Sequence, residues 1–154
     1  MVRWKILAAF ILYFFILTSP ISGAEAAHWK LYGKMDPFIE YYDAGSLSYP
    51  TKDVVRVQLR SECSDKNKCK ELHKKWIRES KGQMDPAYEK WAYRLSFAEI
   101  QCRDKKIRFL SAKNVDENGK TIDDDVKKPT EWMDIKNPWN QPDPLEDLWK
   151  IICK

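Results

Sequence analysis

The chain has 154 residues, of which 44% are hydrophobic and 32% are charged, and its formal net charge is +4. This length fits a single domain. The isoelectric point of about 8.8 lies below the range expected of nucleic-acid-binding domains, which begins at about 9, so nucleic acid is not expected as a partner.

The first 26 residues are predicted to be a secretory signal peptide. Arg3 and Lys5 precede an unbroken apolar run at residues 6–17, and small residues follow it up to Ala26. A membrane-spanning helix needs about 18–20 apolar residues, which is longer than this run. We therefore expect cleavage after Ala26 and export of residues 27–154, to the periplasm or to the cell surface, without a stable membrane span. Because no cysteine follows the run directly, no lipid anchor is expected. An uncleaved membrane anchor is the alternative.

Three strands are predicted in the first part of the exported domain. Residues 28–32 alternate apolar and polar side chains, with Trp29 and Leu31 on the apolar side. Residues 37–43 are rich in aromatic and β-branched side chains. Residues 54–60 alternate cleanly, which predicts a strand with one buried face.

Residues 61–85 form a lysine-rich insert in which a short helix is predicted at about 67–80. The helix follows from the helical spacing of Cys69, Leu72, Trp76 and Ile77. His73 lies beside this stripe, and we expect it at an interface with its polar tip in water; a metal ligand or a catalytic base is the less favoured alternative. The insert is a candidate partner-binding surface through seven cations, which are Lys66, Lys68, Lys70, Lys74, Lys75, Arg78 and Lys81. The alternative interpretation is a solvated helix face without a partner.

Strand patterns return after the insert. Residues 91–103 carry apolar groups on both faces, as in a central strand, and residues 106–112 form the next strand. The Asn118-Gly119 pair between strand-like flanks predicts a hairpin. Residues 123–142 are predicted to be irregular, and the acidic run at 123–125 is interpreted as a solvated turn, with a calcium loop as the alternative.

A final helix is predicted to begin at Asp143, with Pro144 at its first position. Its apolar stripe contains Leu145, Leu148, Trp149 and Ile152. The predicted class is therefore α+β: an antiparallel, meander-like sheet of roughly six strands, with this helix packed on one face and a short helical insert. The sheet face that bears Cys102 is the expected contact.

The four cysteines all lie in the exported domain, and an even number in an oxidising compartment predicts two disulfide bonds. Three pairings are open. The short polar segment from Cys63 to Cys69 favours a local bridge, which leaves Cys102 with Cys153. A zinc site built on Cys63, Cys69 and His73 is the alternative, but its cysteine spacing is wider than zinc sites usually have. No cofactor is expected.

Several segments in this order resemble the bacterial surface-adhesin protein E family. They are YDAGSL at 42–47, VVRV at 54–57, FAEIQCR at 97–103, KIRFL at 106–110 and LWKIIC at 148–153. The resemblance implies a six-stranded antiparallel sheet and a C-terminal helix tethered to it by the Cys102–Cys153 bridge. The insert at 61–85 lies outside the shared pattern.

These observations together favour an exported, non-enzymatic binding module of the bacterial cell envelope. Its expected partner is a protein or an acidic polymer of the envelope or the extracellular space, and homodimer formation is a further candidate. A small periplasmic inhibitor or accessory protein acting through the Cys63–Cys69 loop is the alternative. An enzyme is not expected, because His28 and His73 are the only histidines after residue 26 and no G-x-S-x-G, H-E-x-x-H or P-loop motif is present. A pocket holding a carboxylate of raised pKa would favour an enzyme.

Overall fold

The computed structural model describes residues 27–135 and 143–154. Two helices are present in these ranges, α1 (Lys66–Glu79) and α2 (Pro144–Ile152). The eight strands are β1 (Trp29–Met35), β2 (Phe38–Asp43), β3 (Ser48–Thr51), β4 (Val54–Cys63), β5 (Trp91–Gln101), β6 (Lys106–Asp116), β7 (Thr121–Val126) and β8 (Met133–Asp134). Short 3-10 turns lie at Ala44–Ser46 and Pro86–Lys90.

The strands form one antiparallel sheet in the order β1-β2-β4-β5-β6-β7. The two remaining strands are short and pair beside this path, β3 with β4 and β8 with β6. The predicted α+β class with an antiparallel sheet is confirmed. In the described part of the chain the sheet has eight strands instead of about six, because these two short segments add to the six-stranded path.

One face of the sheet, which we call the inner face, carries the hydrophobic core. Val57 pairs with Ala98 and Val55 with Ile100, and all four side chains are buried. Ile107 on β6 faces Ile100 and continues the layer. This burial explains why β4 alternates so regularly, since every second residue points into the same layer.

Helix α2 covers this part of the inner face. Leu148 is 0% exposed and packs into the core cluster together with Ile152. Cys102 and Cys153 form the predicted disulfide, with their Cα atoms 5.4 Å apart. Trp149 Nε1 donates a hydrogen bond to the backbone oxygen of Cys102 at 3.0 Å. The end of β5 and the end of the chain are therefore held together by two contacts.

The start of α2 lies very close to β1. Asp143 caps the helix by accepting a hydrogen bond from the backbone N–H of Leu145 at 2.9 Å. A Cβ atom at Gly33 would lie only 2.6 Å from Cβ of Pro144. The absence of a side chain at Gly33 thus permits the approach of helix to strand.

Helix α1 occupies the predicted insert. Asp65 caps it, and the second predicted disulfide joins Cys69 in its first turn to Cys63 at the end of β4, with 6.2 Å between the Cα atoms. Ser64 also donates to the backbone oxygen of Pro37 through its own backbone N–H at 2.8 Å. His73 is only 3% exposed, so the expectation of a polar tip in water is wrong. Its ring packs against Trp76 of α1 and Trp91 of β5.

Two further expectations are corrected. Leu31 is 49% exposed, because a bulge between Leu31 and Gly33 turns the neighbouring Tyr32 into the core. The acidic run at 123–125 lies in strand β7 and not in an irregular turn. Pairing with β6 and an ion pair from Arg94 to Asp125 at 2.7 Å stabilise the extended conformation.

In the described ranges, no helix combines the length and the apolar character that crossing a bilayer requires. The predicted signal peptide lies outside the described residues. So do residues 136–142, which are the last part of the segment predicted to be irregular.

Candidate functional site

The inner face is covered by α2 over only part of its area. Over the rest lies a cavity of about 420 Å³, bounded by α1, the turn at Pro86–Lys90 and the start of α2. Aromatic side chains dominate its lining, namely Tyr32, Phe38, His73, Trp76, Tyr88, Trp91 and Phe109. A concave, mostly apolar cavity of this size with a few polar groups is typical of a small-molecule site. We call it the aromatic pocket.

The floor of the aromatic pocket contains a row of polar side chains on three adjacent strands. Glu40 on β2 pairs with Ser61 on β4, which pairs with Arg94 on β5. Ser61 Oγ donates to Glu40 Oε1 at 2.8 Å, and the Tyr32 hydroxyl donates to Glu40 Oε2 at 3.4 Å. The row places a carboxyl group and a guanidinium group under the same cavity.

Glu40 has the electrostatic character of a functional carboxyl group. Burial raises the pKa of its carboxyl above the ordinary value, and this effect outweighs the hydrogen bonds from Ser61 and Tyr32 and the charge of Arg94, which all lower it. Among the described residues, no lysine or arginine forms an ion pair with Glu40. A partly buried carboxyl group without a cationic partner is common at functional sites.

Arg94 also lines the pocket, and its guanidinium contacts an acidic and an aromatic side chain. Its Nη2 atom lies 2.7 Å from Asp125 Oδ2, and its guanidinium lies 5.6 Å from the ring centroid of Phe109. Its Nε atom is buried and has no hydrogen-bond acceptor in the described part of the chain. The guanidinium of Arg94 is therefore paired directly with Asp125, and it acts on Glu40 only as a nearby charge without an ion pair.

A hydrogen-bond network centred on Asn114 fixes one wall of the pocket. Trp91 Nε1 donates to Asn114 Oδ1 at 2.9 Å. Asn114 Nδ2 donates to the Tyr88 hydroxyl and to Asp123 Oδ1, both at 2.8 Å. The Tyr88 hydroxyl in turn donates to Asp123 Oδ2 at 2.7 Å. Because the buried amide is fully bonded, the two aromatic side chains are held in place before any ligand arrives.

His73 packs at the centre of the aromatic wall. Its ring centroid lies 5.2 Å from that of Trp91, 5.3 Å from that of Trp76 and 6.0 Å from that of Tyr88. Burial lowers the pKa of His73, which favours the neutral ring near pH 7. The position of His73 couples α1 to the pocket through aromatic contacts.

The seven predicted cations of the insert lie on or just after α1. Three of them form ion pairs: Lys68 with Asp36 at 3.4 Å, Lys74 with Glu71 at 2.9 Å and Lys75 with Glu79 at 3.8 Å. No ion pair is found within the described residues for the other four, which are Lys66, Lys70, Arg78 and Lys81. Lys66 and Lys70 line a second, more polar groove together with several carboxylates. The basic surface is thus partly neutralised and separate from the aromatic pocket, and partner binding through it stays a prediction.

The sequence interpretation did not single out Glu40. Glu40 looked like an ordinary solvent-facing position of an alternating strand. Its neighbours on the same side of β2 are Phe38 and Tyr42, which both face inward. The signal in the sequence is a glutamate with an aromatic residue two positions before it and another two positions after it, because residues at this spacing share one face of a strand.

Comparison of the chain with protein-family models, with curated proteins and with solved structures finds no match in any of the three. The resemblance to the surface-adhesin protein E family therefore stays a prediction. The pocket has to be interpreted from its own geometry.

Proposed function

We propose that the chain is an exported, non-enzymatic binding module of the cell envelope whose ligand site is the aromatic pocket. The observation that carries this proposal is the 420 Å³ cavity on the inner face, lined by aromatic side chains and closed at its floor by Glu40, Ser61 and Arg94. Two disulfide bonds support export, because such bonds persist in oxidising compartments.

A pocket carboxyl group of raised pKa, such as that of Glu40, favours an enzyme, so catalysis is the second candidate function. General acid–base catalysis usually needs a second group within reach of the reacting atoms. Asp143, the other carboxylate of the lining, serves as the cap of α2. His73 is surrounded by aromatic rings. These arrangements favour binding over catalysis.

The inhibitor alternative depends on a projecting Cys63–Cys69 loop. Residues 66–69 of that segment belong to the first turn of α1, and Cys69 is buried. A segment built into a helix offers less chain to insert into a partner than a free loop does. The geometry therefore favours the pocket as the binding site.

Nuclear magnetic resonance titration of the exported domain with a small neutral aromatic, 2-phenylethanol, tests the proposal. We expect saturable shifts of the indole signals of Trp76 and Trp91, which line the pocket. The indole of Trp149 on α2 donates a hydrogen bond to the backbone oxygen of Cys102 and does not line the pocket, so its signal is expected to stay in place. Shifts spread evenly over all three indoles, or no shifts, would count against the pocket.

A pocket-filling variant supplies the matched control. Ser96→Leu places a larger side chain in the lining, whereas Ser111→Leu changes the neighbouring position of the β5–β6 pair on the opposite face. We expect Ser96→Leu to abolish the titration shifts and Ser111→Leu to retain them. An unchanged Trp149 signal in both variants shows that the fold is intact.

A further inference from the structure

The chain contains two carboxylates that differ sharply in their partners. Glu99, on the opposite face of the sheet, is 3% exposed and accepts hydrogen bonds from Arg56 Nε at 2.7 Å and Arg108 Nε at 2.8 Å. Within residues 27–135 and 143–154, Glu40 accepts hydrogen bonds only from the two hydroxyl groups of Ser61 and Tyr32. The charge of Arg94 offsets only part of the cost of burying Glu40, since burial still raises the pKa of its carboxyl. A cationic ligand paired directly with the carboxylate would recover more of that free energy.

The remaining charges of the pocket lining also favour a cation. Glu40 and Asp143 are acidic, Arg94 is basic, and the guanidinium of Arg94 is already paired with Asp125. His73 adds no positive charge near pH 7, because burial lowers its pKa. A cavity whose net local charge is negative concentrates cations and repels anions.

The aromatic walls supply a second attraction for the same kind of ligand. Trp76, Tyr88 and Trp91 line the cavity above the polar floor. Cations are attracted to the faces of aromatic rings, most strongly to tryptophan, by about 0.5–2 kcal/mol each. Trp91 and Tyr88 are held in position by the Asn114 network, so little conformational entropy is lost when a ligand binds.

We propose that the aromatic pocket binds a small organic amine, with its ammonium group at the Glu40 carboxylate and its apolar body against Trp91 and Leu59, which both line the cavity. This assignment deepens the proposed function and rests on the pocket being a ligand site. The cavity of about 420 Å³ accommodates a molecule with one aromatic ring and a short aminoalkyl chain. An amine supplies up to three N–H donors to a carboxylate that has few partners of its own.

Calorimetric titration with three probes of similar size and different charge tests the ligand class. The probes are phenethylamine, 2-phenylethanol and 3-phenylpropionate. We expect phenethylamine to bind at least about tenfold more tightly than the other two, because only the ammonium group pairs with Glu40. Glu40→Gln keeps the shape of the side chain and is expected to make the amine and the alcohol bind equally.

Glu62→Gln provides the matched control. Glu62 lies one residue from Ser61 on β4, on the opposite face of the sheet, and pairs with Arg60 at 2.8 Å. The same loss of one negative charge at this position is expected to leave the preference for the amine unchanged. An equal loss in both variants would mean that net charge, and not Glu40, sets the preference, which contradicts the proposal.

The other outcomes separate the inference from the proposed function. If 2-phenylethanol binds as tightly as the amine, the pocket is a ligand site but the inference is wrong. If 3-phenylpropionate binds most tightly, the buried Nε atom of Arg94 is the recognising group and the inference is again wrong. If none of the three probes binds, both the inference and the proposed function fail.

Discussion

The inner face of the sheet has two halves that the same strands build in different ways. The covered half, around Val57, Ile100 and Ile107, is aliphatic and lies under α2. The open half, around Glu40, Arg94 and the aromatic side chains, is polar at its floor and stays uncovered as the pocket. Along β4 and β5 the change from one half to the other occurs within a few residues.

This difference separates stability from binding. Aliphatic side chains under a disulfide-tethered helix contribute to the free energy of unfolding through burial. Buried polar groups and unfilled volume in the open half add little to the free energy of unfolding or lower it. Groups that lower stability in this way are typical of functional surfaces. We therefore expect changes in the covered half to lower stability and changes in the open half to alter binding first.

The largest expected effect comes from the disulfide bonds. Replacing Cys102 and Cys153 by serine opens a closure of 51 residues and is expected to cost about 4 kcal/mol in the free energy of unfolding. Replacing Cys63 and Cys69 opens a closure of 6 residues and is expected to cost about 2.2 kcal/mol. Urea denaturation of both double variants measures the difference, and equal losses would remove the distinction between the two halves.

Leu148→Ala is the next test, placed in the covered half. It removes a fully buried side chain of α2 and is expected to cost about 3 kcal/mol, because a cavity remains in the aliphatic layer. The affinity for a pocket probe is expected to stay within about twofold, because Leu148 does not line the pocket. A large change in affinity would show that the two halves are coupled.

Asn114→Ala is the corresponding test in the open half. It leaves the indole N–H of Trp91 and the carboxylate of Asp123 without their amide partner, which is expected to cost about 2 kcal/mol. Probe affinity is expected to fall at least about tenfold because two aromatic walls lose their anchor. Thermal unfolding and calorimetric titration together check the prediction. Unchanged affinity would mean that the network serves only stability.

The smallest expected effect is a pH dependence that arises from His73. Burial lowers the pKa of His73 in the folded chain. The contribution of the buried neutral ring to the free energy of unfolding is therefore complete above the unfolded pKa of about 6.5, and it is lost as the pH falls below that value. Glu40 acts in the opposite sense, because its raised pKa favours folding at low pH. We expect His73→Phe to lose less stability than the parent chain between about pH 7 and pH 5. Parallel melting curves of the parent and the variant would contradict this.

Much of the fold could be predicted because its determinants are local. The alternation of Val55, Val57 and Leu59 predicts a strand with one buried face, and the cap at Asp143 predicts the start of α2. The chain order of strands without intervening helices, apart from the insert, favours an antiparallel sheet. The bulge in β1 was missed, since a one-residue shift depends on the pairing partner and not on the strand itself.

The candidate site could not be predicted in the same way. Glu40, Arg94 and Asn114 come from three separate strands, and each looks like an ordinary polar position in its own segment. The histidine of the insert was expected at a wet interface, but Trp91 and Tyr88 pack around it from distant positions.

By itself, the sequence determined both helices, most of the long strands and the face that α2 buries, and it favoured the two cysteine pairs without excluding the other pairings. These follow from the spacing of apolar residues and from short-range capping and turn chemistry, which act within a few residues of the chain. The tertiary structure decided where coverage of the inner face ends. The register between strands brings Glu40, Ser61 and Arg94 into one row. The positions of α1 and α2 leave that row beneath an open cavity. Both depend on packing between residues that are far apart in the chain, so no local pattern in the sequence predicts them.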